Sequence, residues 1–187
     1  MLDVVLFVIL SCVCLWGPSV LGPFTGVPLV LLCLAVAWYT NILPSELYTH
    51  SLPSVTHITA MVVVTDVLQT IIHTATHLGL CPSIIARAHR VHHTHTSPTI
   101  DTAFHTGVLD AIVQLIIPLY ASLHIVRPNR TSAILFGGLY SNWLIYLHSD
   151  YPDHFIPFMV TPEQHRRHHK NPRVCMGHVL RIPAIGT

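Results

Sequence analysis

The chain has 187 residues, of which 51% are hydrophobic and only 9% are charged. An average soluble domain is about 25% charged, so the composition argues against a soluble globule and predicts a membrane protein of a single domain. The net charge of +1 leaves no basic surplus, and nucleic-acid binding is not expected.

Five apolar runs follow one another along the chain, and we interpret them as membrane or interfacial helices. They cover residues 2–16, 27–43, 58–72, 108–126 and 132–147. The first is expected to span the membrane or to lie at its surface, and the second has about the length of a tilted, slightly short span. A further helix over residues 84–95 is expected outside the bilayer. Residues 127–131 form a turn so short that the last two runs are predicted to pack as an antiparallel hairpin.

Cysteine and histidine differ sharply in what they indicate. The five cysteines, at positions 12, 14, 33, 81 and 175, form no C-x-x-C pair. Neither a disulfide framework nor a cysteine zinc site is therefore indicated. Sixteen residues, in contrast, are histidines, and neutral imidazole is a common ligand for zinc, iron and copper.

Nine histidines fall into a pattern that predicts a metal centre. They belong to the boxes H-T-A-T-H, H-R-V-H-H and H-R-R-H-H and to the end of the last apolar run, and they are His73, His77, His89, His92, His93, His148, His165, His168 and His169. Residues i, i+3 and i+4 share one face of a helix, so each box is expected to point its imidazoles at one spot. One ion takes about four ligands, so nine histidines predict two ions.

The remaining histidines are each interpreted as ordinary polar residues. They are His50, His57, His95, His105, His124, His154 and His178, of which His95 and His105 are expected to lie closest to the site. Three acids, Asp66, Asp110 and Asp150, are candidates for orienting the ligating imidazoles. Asp66 is the most notable because it interrupts an apolar run, where an acid is expected to face protein or water.

The hairpin and the charges together predict an orientation. The chain enters the hairpin after the second box and returns at His148, so all the histidine clusters are expected on one side of the membrane. The basic residues on that side are Arg87, Arg90, Arg166, Arg167, Lys170, Arg173 and Arg181, and only Arg127 and Arg130 lie at the opposite turn. By the positive-inside rule, the histidine side is predicted to be cytoplasmic.

The order and spacing of these motifs resemble the fatty acid hydroxylase / sterol desaturase superfamily over residues 58–187. H-T-A-T-H is followed by eleven residues, H-R-V-H-H, the hairpin, H-S-D-Y and T-P-E-Q-H-R-R-H-H, and residues 185–187 resemble the end of the family domain. Carried over position by position, the resemblance assigns the same nine histidines as metal ligands. Residues 101–110 resemble a family stretch in which Gly107 stands where a histidine is usual and His105 stands at an arginine.

The resemblance implies an all-α fold: a polytopic membrane helical bundle with a cytoplasmic, histidine-rich di-metal cap. Residues 1–57 would form N-terminal membrane helices and their connection, and residues 58–187 the catalytic region. The implied cofactor is a non-haem di-iron centre of two Fe ions, with Zn as the expected substitute in isolated protein, as in family members, and O2 is the co-substrate. The resemblance implies no other bound cofactor, and no side-chain general base is expected.

The implied activity is the hydroxylation or desaturation of a lipid, either a sterol or a fatty-acyl chain. The electrons would come from a donor such as cytochrome b5 and its reductase. The implied location is the endoplasmic reticulum membrane in a eukaryote or the inner membrane in a bacterium.

Two alternatives stay open at this stage. The first is a carotenoid ring hydroxylase, although those enzymes usually carry H-x-x-x-x-H as the first box and this chain has H-x-x-x-H. The second is a catalytically degenerate metal-binding membrane protein or a carrier. A carrier would be expected to place polar ligands along its spans, whereas the histidine clusters here lie at the ends of the apolar runs.

Overall fold

The structure is a computed structural model that describes residues 26–153, 156–174 and 177–181. These ranges contain no strand, apart from one antiparallel bridge between Met159 and Leu180. The helices are α1 (Gly26–Tyr39), α2 (Val55–His77), α3 (Ser83–His92), α4 (Val108–Val126), α5 (Arg130–Leu147) and α6 (Pro162–Lys170), with short 3-10 helices at Ser45–Tyr48 and Ile100–Thr102. The all-helical prediction is confirmed for the described ranges, and the predicted run 2–16 lies outside them.

Helices α2 and α4 are long and apolar enough to cross a membrane. At a rise of about 1.5 Å per residue, the 23 residues of α2 extend ~34 Å and the 19 residues of α4 ~28 Å. The hydrocarbon core of a bilayer is about 30 Å thick, so both lengths match it. Helix α5 has 18 residues but does not reach the same hydropathy.

Helix α1 is shorter than the predicted run 27–43. Its 14 residues extend about 21 Å, which is less than a span requires. The helix ends because Asn41 adopts a left-handed conformation with φ 54°, and an asparagine in this conformation commonly terminates a helix.

Helix α4 contains a π turn at Ile112–Ile116, in the middle of its apolar sequence. Pro118 follows two residues later and has no N–H to donate to the carbonyl of Gln114. A π turn shifts the hydrogen-bonding pattern by one residue, so the helix passes the proline without ending. Gln114 and Pro118 both interrupt the apolar run 108–126, but no feature of the sequence predicted the π turn.

The hairpin between α4 and α5 is tighter than predicted. Arg127 takes a left-handed conformation with φ 52° and closes α4. Helix α5 already begins at Arg130, because the side-chain oxygen of Asn129 accepts a hydrogen bond from the backbone N–H of Ser132 at 2.9 Å. Only residues 127–129 therefore lie between the two helices.

The three long helices pack around a common core. The side chains buried there include Met61 from α2, Leu123 from α4, and Phe136 and Leu144 from α5. Some polar groups inside the bundle are paired across helices: the Thr65 hydroxyl donates to the Ser122 hydroxyl oxygen at 2.9 Å. Such interhelical hydrogen bonds allow polar side chains to be buried in an apolar bundle.

The bundle has two polar ends. We call residues 127–131 and the connection 40–54 the turn end. The histidine end consists of the C-termini of α2 and α5, the N-terminus of α4, and helices α3 and α6. All the predicted histidine clusters lie at the histidine end, so the hairpin places them as expected. Their position on the cytoplasmic side stays a prediction.

Candidate metal centre

Helix α6 carries the last histidine box. It is fixed by a cap at its N-terminus and by a side-chain contact to the segment after α5. Thr161 and Gln164 form a capping box, in which Gln164 N donates to Thr161 Oγ1 at 3.3 Å and Thr161 N donates to Gln164 Oε1 at 3.1 Å. Pro162 occupies the first turn, where a missing N–H is tolerated. Arg166 Nη1 donates to the carbonyl of Ser149 at 2.8 Å, which ties the helix to the segment that carries His148.

All nine predicted histidines converge at the histidine end, and they form two groups. The first group is His73, His77, His93 and His168, with His89 in contact, and the second group is His92, His148, His165 and His169. Within each group of four, the ring nitrogens lie within 4.8 Å of one another. The structure therefore presents two adjacent clusters, each with the number of nitrogens that one ion takes.

Each H-x-x-H-H box is divided between the two groups, which corrects the expectation that a box points at one spot. His89 and His93 join the first group, whereas His92 joins the second. In α6 the division is reversed: His165 and His169 are in the second group and His168 is in the first. The physical reason is the helical rotation of about 100° per residue, which puts i and i+4 close together and sets i+3 apart from i+4 by about 100°.

The outward-facing ring nitrogens fix the protonation of several imidazoles. The Nδ1–H groups of His148 and His168 donate to the carbonyls of Leu144 and Val174, both at 2.8 Å. His92 Nδ1–H donates to the His105 carbonyl at 3.2 Å. In a neutral imidazole with Nδ1 protonated, Nε2 carries the lone pair, so these rings direct lone pairs towards the centre.

Asp110 orients another ring in the way that sequence analysis proposed. His89 Nδ1 lies 2.9 Å from Asp110 Oδ1, and both residues are buried. Thr106 also donates to the same carboxylate. An Asp–His pair of this kind is the usual way in which a carboxylate orients a metal-ligating imidazole and raises its basicity.

The nitrogen separations within the groups agree with metal binding. The Nε2–Nε2 distances are 3.0 Å for His73–His77, 3.1 Å for His89–His93 and 3.2 Å for His148–His165. Nitrogens about 2.0–2.1 Å from one ion are about 3.3 Å apart in a tetrahedral site and about 2.9 Å apart at right angles. The residues present therefore fit metal ions held by imidazole alone.

Burial keeps these imidazoles neutral. It lowers the pKa of His93 and of His148 to about 4. Burial, followed by repulsion from neighbouring imidazoles, holds the pKa of His165 and of His168 well below the ordinary value. A neutral imidazole is the form that binds a metal, so these histidines are in the metal-binding protonation state at neutral pH.

His178 belongs to this centre, and its interpretation as an ordinary polar residue was wrong. Its ring lies 4.7 Å from that of His73 and 6.2 Å from that of His165, measured between centroids. Burial lowers the pKa of His178 to about 3. Its Nδ1 has no hydrogen-bond partner within the part of the chain that the structure describes.

Asp66 explains how His178 reaches the centre. The buried Asp66 carboxylate accepts hydrogen bonds from the backbone N–H groups of His178, Val179 and Leu180, at 3.2, 2.8 and 2.8 Å. On the other side, Trp143 Nε1 donates to the His178 carbonyl at 2.7 Å. Asp66 thus positions a backbone segment and not, as proposed, one of the nine imidazoles. Nothing in the sequence near residue 66 or residue 178 signals this long-range contact.

The other predicted neighbours of the site lie at its edge. His95 and His105 contact each other through their rings, and His105 reaches the centre only through its carbonyl. Asp150 is exposed. His124, which was expected far from the site, is exposed near the turn end, and its ring centroid lies 4.5 Å from that of Tyr120.

Two cavities meet beside the histidines. The first, of about 50 Å³, is lined by most of the histidines together with Asp110 and Gln114. The second, of about 220 Å³, is mainly apolar and lies between α1, α2, α4 and α5. Their common lining residues are Gln69, Phe104, Leu115 and Leu144. An apolar molecule in the larger cavity would therefore be separated from the histidine cavity only by these shared residues.

The whole pattern of boxes matches a known family. Residues 58–183 match the model of the fatty acid hydroxylase family. The chain belongs to this family. The resemblance inferred from the histidine boxes is thereby confirmed, and metal dependence is typical of the family.

One curated relative adds a more specific comparison. It is named alternative squalene epoxidase, comes from Phaeodactylum tricornutum, and is 27% identical to this chain over 170 residues. The match covers 86% of this chain and 48% of the relative, so the chain spans about half the length of the curated protein it matches. No solved structure matches the chain.

Proposed function

We propose that this protein is a membrane-bound, O2-dependent oxidoreductase that oxidises a carbon of an apolar lipid at a di-iron centre. The observation that carries the proposal is that the small cavity lined by both histidine groups adjoins an apolar cavity. The two cavities share Gln69, Phe104, Leu115 and Leu144 as lining residues. Membership of the fatty acid hydroxylase family supports the same class of reaction.

The role of the protein side chains follows from their chemistry. The nine histidines would hold two ions, five of them around one ion and four around the other. Iron, when bound, would supply the redox chemistry by which O2 is reduced and an unreactive carbon of the lipid is oxidised. Asp110 and the carbonyls of Leu144 and Val174 would keep the imidazole rings oriented. Burial of the groups would exclude bulk water from the reaction.

The apolar cavity supports a hydrocarbon substrate. Val30, Leu34, Leu119 and Phe136 form its walls, and Gly137 leaves one side open to a bulky group. A sterol or a fatty-acyl chain fits this chemistry, and the name of the relative adds a polyisoprenoid such as squalene. The reaction would be hydroxylation, desaturation or epoxidation, depending on which carbon lies nearest to the ions.

The surroundings of the site favour an external electron donor. Arg167, Lys170 and Arg173 are exposed at the histidine end, and a donor such as cytochrome b5 with its reductase would approach there. The same end would face the cytoplasm, with α2 and α4 crossing the membrane of the endoplasmic reticulum or of a bacterial cell.

The test is a reconstitution with defined components. The protein, loaded with Fe(II) in lipid vesicles, would receive cytochrome b5, its reductase and one lipid at a time: squalene, a sterol, a fatty-acyl lipid or a carotenoid. We expect lipid-dependent O2 consumption with one of them, and isotopically heavy O2 would separate oxygen insertion from desaturation. The His168→Ala protein serves as the inactive control. Two bound irons without lipid-dependent O2 consumption would instead identify a degenerate metal-binding protein.

A further inference from the structure

Gln114 lies at an unusual place in the bundle. It belongs to the π turn of α4 and is only 5% exposed. Its side chain lines the small cavity beside the histidines. π turns inside α-helices often occur at functional sites, and none of the roles described above uses Gln114.

The hydrogen bonds around Gln114 determine which way its amide points. The Thr76 hydroxyl donates its only proton to the carbonyl of Ile72 at 2.9 Å. Its oxygen can then only accept, so the group of Gln114 that lies 3.0 Å away has to be the Nε2 amide donor. The carbonyl oxygen Oε1 is therefore the side-chain atom of Gln114 that does not contact Thr76. It has no donor among the described residues.

A buried acceptor without a donor is unfavourable, so this oxygen indicates a missing partner. The partner has to bring an O–H or N–H group into the histidine cavity. That cavity measures about 50 Å³ and has room for a water-sized group. Leu115, the neighbour of Gln114 in the chain, lines both this cavity and the larger apolar one. A hydroxyl group of a lipid in the apolar cavity would therefore approach Gln114 past Leu115, where the two cavities adjoin.

We propose that Gln114 Oε1 is the binding group for the hydroxyl of an oxygenated lipid at the histidine centre. This proposal rests on the proposed function, because oxidation of a C–H bond to an alcohol puts an O–H group at that place. Water would fill the position when no lipid alcohol is bound. An alkane has no proton to offer, and an epoxide has only an acceptor oxygen. Gln114 therefore makes the site selective for an alcohol over both.

The test measures binding without turnover. The zinc-loaded protein, which cannot activate O2, would be titrated with dodecane, its terminal alcohol and its terminal epoxide, which share one chain length. We expect the alcohol to bind about threefold to tenfold more tightly than the alkane, as one net hydrogen bond provides. In Gln114→Leu this preference should disappear while the alkane binds as before.

Two further variants separate recognition from packing. Thr76→Val frees the amide to rotate and present its N–H groups, so the preference should move from the alcohol towards the epoxide. Thr65→Val is the matched control, because Thr65 lines the apolar cavity but donates to Ser122. This variant should keep the preference for the alcohol. Thr76→Val also serves as the test if Gln114→Leu does not fold.

Two binding results would contradict the assignment of Gln114 as the hydroxyl-binding group. An undiminished alcohol preference in Gln114→Leu would overturn the proposal. Equal affinity of the wild-type protein for alcohol and alkane would assign the position to water alone and overturn it as well. Because no O2 chemistry is involved, a protein that binds the alcohol through Gln114 but consumes no O2 would refute the proposed function and leave this inference standing.

Discussion

The two ends of the bundle use polar side chains in opposite ways. At the turn end, donors meet acceptors: Arg130 donates to the carbonyls of Leu47 and Tyr48, both at 3.2 Å, and Arg127 pairs with Glu46 at 2.8 Å. At the histidine end, ring nitrogens face other ring nitrogens, as Nε2 of His148 and Nε2 of His165 do at 3.2 Å, and a neutral imidazole has only one N–H to donate. The first arrangement stabilises the chain by itself, whereas the second is one that a bound cation could complete.

This difference separates fold from function within one helical frame. Helix α2 connects the two ends, starting beside the turn and finishing with His73 and His77. Converging unprotonated nitrogens are unfavourable in a buried place, so surrounding contacts have to hold them there. The Asp110–His89 pair and the Asp66 contacts to residues 178–180 provide that support. If the two ends are independent, a substitution at one end should leave the metal content or the stability that depends on the other end unchanged.

The largest effect is expected from removing one ligand from each group. His168→Ala and His165→Ala should each reduce the metal content from about two ions per chain to about one and abolish lipid oxidation. Elemental analysis of purified protein, together with the reconstituted assay, measures both. His124→Ala, at the turn end, is the matched control and should retain two ions and full activity. Two ions in either ligand variant would show that the histidine removed is not needed to hold the ion of its group.

The second prediction asks whether the two ends face opposite sides of a membrane. In a background without native cysteines, a cysteine at Leu52, which is 88% exposed, should react with an impermeant maleimide only from the lumenal or outer side. A cysteine at Lys170 should react only from the cytoplasmic side. Leu52 is preferable to Asn129, whose side chain caps α5 and donates to the Leu52 carbonyl. Labelling of both from the cytoplasm would indicate a hairpin that enters the bilayer without crossing it.

The sequence predicted the helical frame and the convergence of the boxes because both depend on local spacing. Apolar runs locate the helices, and i, i+3, i+4 spacing brings histidines together on one face. The spacing alone also predicts that the histidines of one box separate into two groups, because residues i+3 and i+4 point about 100° apart around the helix axis. Which group each nitrogen joins, however, depends on the approach of α6 to α3, and no local pattern determines that approach.

His178, Asp66 and Gln114 could not be assigned from the sequence for a related reason. Asp66 binds backbone N–H groups 112 to 114 residues away, and a backbone acceptor leaves no trace in residue type. Gln114 gains its role from a π turn and from the hydrogen bond of Thr76. The sequence shows that Asp66 and Gln114 are polar residues inside apolar runs, which marks them as unusual, but it does not show which groups they contact.

The smallest effect is expected from the turn end, where two arginines differ in environment. Arg130 donates to two backbone carbonyls and lies 4.8 Å from the centre of the Trp38 ring. Arg130→Met leaves those carbonyls unpaired and should lower the free energy of unfolding by about 1–3 kcal/mol. Arg127 forms an exposed ion pair with Glu46, and exposed pairs contribute little to stability, so Arg127→Met should destabilise the protein less than Arg130→Met does. Denaturation in detergent measures both, and each variant should keep its two metal ions. Metal loss in Arg130→Met would show that the turn end supports the histidine end through α2 or α5, and the two ends would then have to be treated as one coupled unit.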